Sequence, residues 1–225
     1  GLTRTLLEAA IHLARIAQLG APSAALRFFP YFKTRDGHHI GFFFYLLALP
    51  LMGCLIVTPL YFIFKPAIAG YFAEKSIFFV EYMDWIIPLM FFWVYIGVFE
   101  TYSNVLMRIA IPKFIREVVV RSLIIIVYLL YGFKVVSLTG FIVGFVAVYG
   151  VAMLLDLWYL SRISPLSLKF DLSFISPELR KKILKYTLYL VTGIIGGGIA
   201  LKLDLFMLGG MEGMDYSGIY SMAIN

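Results

Sequence analysis

Long apolar runs set the first limit on what this chain can fold into. Six stretches, at about 5–30, 40–64, 78–106, 113–132, 136–161 and 183–208, each approach or exceed the length needed to cross a hydrocarbon core, and a seventh begins near Ser217. A core of about 30 Å takes about 20 apolar residues in a helix. The runs show no alternation of period two and are longer than the roughly ten residues of a barrel strand. Without water to satisfy backbone N–H and C=O groups, a helix satisfies them within itself. The prediction is an all-α integral membrane protein, a polytopic helical bundle with six full transmembrane helices and a truncated seventh.

Composition agrees. Of 225 residues, 62% are hydrophobic and 14% charged, and the mean hydropathy is +0.92. Soluble domains run at about 45–50% apolar and about 25% charged. So much apolar surface cannot be hidden in a water-soluble domain of this size. The net charge of +6 sits between the apolar runs. That places it at lipid head groups and argues against nucleic acid as a partner. The single cysteine, Cys54, excludes an internal disulfide framework and a cysteine-based metal site.

The basic residues alternate from side to side. Thirteen of the 19 Lys and Arg lie on one set of loops, including Arg108, Lys113, Arg116 and Arg121, and four on the opposite set. The rich side is expected to be cytoplasmic. The longest polar stretch, RISPLSLKFDLSFISPELRKK at 162–182, holds a helix start at Ser176-Pro177-Glu178. The expected organisation is a helical bundle over 1–161, a cytoplasmic linker with an interfacial helix over 162–182, and the start of a second bundle over 183–225. The chain begins at Gly1 and stops at Asn225 inside an apolar run, as expected of an internal piece of a longer protein.

Ionisable groups inside spans are costly and mark candidate sites. Glu8, His12 and Arg15 are spaced by four and three on one face of the first span, and Gln18 continues it. That face is expected either to line a water-filled cavity that binds an anion or relays protons, or to be satisfied internally. Arg27 closes the same span, as a phosphate contact or as an anchor that snorkels to the interface. Glu100, Asn104 and Arg108 are spaced by four near the basic end of the third span. Glu100 is expected to pair with Arg108 through Asn104, or with Arg116 or Arg121, in a network that holds helices together. Asp156 is expected to pair with Arg162. In the sixth span Gly193, Gly196, Gly197 and Gly198 precede Lys202 and Asp204. The glycines suit close helix packing or a hinge. His38 and His39 have no third ligand nearby and suit a solvated loop. No catalytic motif of the GxxxxGK[ST], HExxH or GxSxG kind occurs. The chain therefore gives no support for an enzyme, and it implies no cofactor or metal.

The segment LGAPSAALRFFPYFK at 19–33, with KLDLFMLGG at 202–210 and SGIYSMA at 217–223, resembles bacterial polysaccharide-biosynthesis membrane proteins. These are lipid-linked oligosaccharide flippases of the superfamily that also contains the multidrug and toxin extrusion transporters. The resemblance runs through nearly the whole chain in span order. It implies that the spans are helices 2 to 7 of a longer transporter of about 12–14 helices, whose first bundle lacks its first helix here. It also implies two bundles that rock about a cationic cavity in the bacterial inner membrane. The cargo would be an undecaprenyl-pyrophosphate-linked oligosaccharide, moved to the outer leaflet with an H+ or Na+ gradient. Arg15 and Arg27, with Gln18 and Lys202, are then candidates for the cavity wall. Glu8, His12 and Asp204 are candidates for ion coupling. An ion-coupled drug or metabolite antiporter of the same superfamily is the alternative, and a membrane glycosyltransferase or polymerase the least favoured.

Overall fold

A computed structural model describes residues 1–32, 42–72 and 76–164, together with positions 178, 181–183, 185–190 and 192–193. Among these residues every element is helical and there is no strand. The first two helices are α1 (Leu2–Ala17) and α2 (Ala21–Phe32). Next comes α3 (Phe42–Phe72), which runs through Pro50, Pro59 and Pro66. A short α4 (Ile77–Tyr82) passes through a 3₁₀ turn at Met83–Trp85 into α5 (Ile86–Val105). Then α6 (Ala110–Phe114) leads through a π-helical turn at Ile115–Val119 into α7 (Val120–Gly132). The last is α8 (Leu138–Ile163), whose start is capped by the Ser137 hydroxyl accepting from the Gly140 amide.

Among the described residues three helical stretches are long and apolar enough to cross a membrane: Phe42–Phe72, Ile77–Val105 and Leu138–Ile163. Their outward faces are apolar too. Leu51, Leu55, Ile56, Ile63 and Phe64 of α3 and Leu154 and Trp158 of α8 are exposed. Large aliphatic and aromatic faces of this kind suit lipid rather than water. The expected fourth span differs in kind, because Lys113, Arg116, Glu117 and Arg121 crowd its first half. Most of the expected sixth span lies outside the described residues, as do the truncated seventh and most of 162–182.

The first span is a correction. Expected as one helix over 5–30, it is broken between α1 and α2, where Leu19 and Gly20 take φ of 48° and 71°. No continuous helix passes through two left-handed residues. Glycine adopts this conformation at little cost, and a Cβ at Gly20 would stand 2.8 Å from the Cβ of Leu190.

The core forms around α5, which packs on α1, α2, α3 and α8. Its apolar residues run all round the helix, as burial on several sides requires. On the α1 side the buried apolar residues are Leu6 and the small Ala10, Ala14 and Ala17, one helical turn apart. That stripe brings α1 so close to α3 that Gly53 lies against the backbone carbonyl of Ala17. At the basic end an aromatic cluster ties α2, α3 and α5 together: Phe42 meets Phe29 at 5.0 Å, Phe32 at 5.2 Å and Tyr102 at 6.0 Å. At the opposite end the Tyr61 hydroxyl donates to the Met83 carbonyl at 2.7 Å, and Lys65 pairs with Asp84. The Tyr61 bond is buried. Tyr61→Phe is expected to lower stability by about 1 kcal/mol, read as a lower melting temperature in detergent.

Candidate functional site

The polar face of the first span separates by depth. Glu8 is buried and forms an ion pair with Arg4, one turn earlier on α1, with Oε1 and Nε 3.1 Å apart. His12 borders an apolar cavity of about 540 Å³ between α1, α3 and α4, with Tyr61, Tyr71, Phe72, Phe79 and Met83. Arg15 is exposed in the last turn of α1. So the three share a helix face but differ in surroundings, and the cavity that His12 reaches has an apolar wall. Gln18 lies beyond α1 and packs inward instead of lining open space. Its Nε2 donates to the Val94 carbonyl at 3.4 Å and sits where a Cβ on Gly97 would be.

Arg27 is exposed on α2, with its guanidinium 4.4 Å from the ring centre of Tyr186 and 5.8 Å from that of Phe28. The planar cation lies on an aromatic face, an attraction of roughly 0.5–1 kcal/mol at an exposed site. Neither Arg15 nor Arg27 forms an ion pair with a described carboxylate. Arg4, Lys65, Arg116 and Arg121 all do. Among the sixth-span candidates, Gly193 would meet no described atom within 4 Å if it carried a Cβ. Gly196, Gly197, Gly198, Lys202 and Asp204 lie outside the described residues, and so do His38 and His39.

Among the described residues the densest charge cluster is at the basic end of α5. Arg116, on the π-helical turn, donates Nη1 to Glu100 Oε2 at 2.7 Å and Nε to Glu117 Oε1 at 3.4 Å. Arg121 closes the chain on Glu117 Oε2 at 2.6 Å. The expected pairing of Glu100 with Arg116 is present. Arg108 takes no part in it: its backbone amide closes α5 on the Ser103 carbonyl at 2.8 Å, and its carbonyl accepts from Tyr159. Asp156 does not pair with Arg162, a second correction. Positions six apart on a helix are well off a common face. Arg162 instead lies over the Trp158 ring at 5.6 Å. Asp156 points inward from α8, and sequence reasoning gave it a partner but no functional role. The signal was there in a carboxylate on the buried stripe Ile142, Phe145, Tyr149, Ala152 and Leu160.

No family model matches the chain, and no curated protein or solved structure shows significant similarity to it.

Proposed function

We propose that this chain is part of a multi-pass transporter of the bacterial inner membrane that flips undecaprenyl-pyrophosphate-linked oligosaccharide to the outer leaflet by alternating access. The observation that carries the reading is the pair of arginines on the broken first span. Arg15 and Arg27 sit on its two halves, exposed and in no ion pair with a described carboxylate. Guanidinium groups left open in this way suit a pyrophosphate, whose oxygens take paired N–H donors. The break at Leu19 and Gly20 lets the halves change their mutual angle, as a cavity that opens to alternate sides needs. The sequence resemblance to polysaccharide flippases points the same way.

In full-length protein reconstituted into liposomes, Arg15→Ala and Arg27→Ala are each expected to slow translocation of lipid-linked oligosaccharide about tenfold. That corresponds to one lost charge-assisted contact of about 1.5 kcal/mol. Unchanged rates in both variants rule out the phosphate role. A second reading, an ion-coupled drug or metabolite antiporter, is favoured by the cavity beside His12. Its volume of about 540 Å³ and its aromatic wall fall in the range of small-molecule sites, about 300–1,000 Å³. Liposomes that move cationic dyes but no lipid-linked sugar would decide for that reading.

A further inference from the structure

The Glu100–Arg116 pair faces a third charge-bearing group. Asp156 on α8 is completely buried, at 0% exposed, and neither carboxylate oxygen has a hydrogen-bond partner. It lies near enough to Glu100 and Arg116 to interact with both charges. Glu100 is only half satisfied: Oε2 takes the Arg116 bond, while Oε1 is buried and without a partner. One turn farther along α5, Ser103 is also 0% exposed and its Oγ has no partner. Two helices therefore bring buried oxygens with spare acceptor capacity to one place.

Glu100, Glu117 and Asp156 are matched in number by Lys113, Arg116 and Arg121, but no cation bonds to Asp156. Two carboxylates face one guanidinium, and that guanidinium is shared with Glu117, which Arg121 also holds. Lys113 acts on Glu100 from α6. A bare carboxylate on Asp156, with no donor on either oxygen, is the arrangement that protein interiors avoid most strongly. A proton removes the charge and turns an acceptor-only group into a donor that a neighbouring oxygen can accept. Two acids at one site then titrate as a unit.

We propose that Asp156 and Glu100 form a proton-binding site, with the exchangeable proton on Asp156, and that this pair couples transport to protons. The reaction is proton binding alone: the Asp156 carboxylate takes H+ from water and later returns it. The route to water is visible in the burial of the cluster. Side-chain exposure rises from 12% at Glu100 to 34% at Arg116 and 74% at Arg121. The π-helical turn at Ile115–Val119 widens the helix where Arg116 meets Glu100, and such turns recur at functional sites. The coupling role rests on the transporter reading; the protonation does not.

Infrared difference spectroscopy on the full-length protein in lipid nanodiscs tests it. The expected result is a protonated-carboxyl carbonyl band at neutral pH that shifts in heavy water. It is lost in Asp156→Asn and kept in Asp84→Asn, a change at an exposed carboxylate far from the site. Glu100→Gln and Arg116→Gln should move the pH at which the band disappears in opposite directions, since one removes a negative and the other a positive neighbour. These two variants carry the test if Asp156→Asn does not fold. A band that survives Asp156→Asn overturns the proposal. So does the absence of any band together with a saturable sodium-dependent change that needs Asp156. In liposomes, Asp156→Asn should lose the response of transport to a pH gradient; an unchanged response overturns the coupling role. A wild-type protein that shows the band but moves no lipid-linked sugar sinks the cargo reading and leaves the proton site standing.

Discussion

Gly53→Ala should destabilise the protein, and Gly53→Leu should prevent it from folding. The Cβ that either substitution adds would occupy the space of the Ala17 backbone carbonyl. A flexible side chain could swing aside, but a carbonyl in the last turn of α1 is fixed by the helix that carries it. The whole of α1 would have to retreat from α3. That retreat also loosens the packing of Ala10, Ala14 and Ala17, which are buried with no exposed surface. Overpacking a tight interface costs about 1–3 kcal/mol and more when backbone must move. Folded stabilities are only about 5–15 kcal/mol in total. Gly70 on the same helix is the control, because a Cβ there meets nothing within 4 Å. Gly70→Ala should therefore raise stability by up to about 1 kcal/mol through helix propensity. Thermal melts of the purified protein in detergent read both signs in one experiment. If Gly53→Ala melts where the wild type does, α1 and α3 do not touch at this point.

The same contact shows what the sequence reveals and what it conceals. Three of the six expected spans were legible from apolar length alone: 40–64, 78–106 and 136–161 were expected, and among the described residues Phe42–Phe72, Ile77–Val105 and Leu138–Ile163 are long and apolar enough to cross a membrane. Where the first of these runs on past its expected end, Lys65 and Pro66 are the reason, since a charge followed by proline looks like a boundary. Lys65 instead reaches Asp84. Helix ends were harder. Met107 and Lys134 close α5 and α7 with φ of 58° each, and neither residue type signals a left-handed cap as glycine does. The break in the first span did leave a mark, since Gly20 and Pro22 follow Leu19 and both residue types signal a helix end. Of the site, the Glu100–Arg116 pair was among the alternatives that spacing allowed. The inward place of Asp156 was legible from the apolar stripe it shares, but what it faces was not. A nearby arginine in sequence suggested a partner, whereas the pairing of α5 with α8, set by Trp93 on Tyr149 and Tyr102 on Ser164, decides what a buried carboxylate faces. Such cross-helix registers come from packing and leave no local mark in the chain.

The second large effect concerns that charge cluster, and its two halves should respond unequally. Removing Arg116 as Arg116→Ala strips Glu100 of its one hydrogen-bonded cation while 12% of that side chain remains exposed. Glu100 then holds a buried negative charge beside Asp156. Leaving a buried group of this kind unsatisfied costs about 1–3 kcal/mol, and more when it is charged. Glu100→Gln does the reverse. Arg116 keeps its contact with Glu117 and is 34% exposed, so water and a second carboxylate still stabilise it. The glutamine also matches the volume of the residue it replaces. Its cost should stay below about 1 kcal/mol, in the range of an exposed ion pair. The double variant Glu100→Gln with Arg116→Ala should be more stable than Arg116→Ala alone, because the orphaned charge is gone. A double-mutant cycle by denaturant unfolding in detergent measures this directly as a coupling energy. Additive losses, with Glu100→Gln as damaging as Arg116→Ala, would mean that the pair is solvated and that Asp156 faces no buried charge. A positive coupling together with a mild Glu100→Gln is the result expected if Arg116 is what keeps two neighbouring acids compatible in the interior.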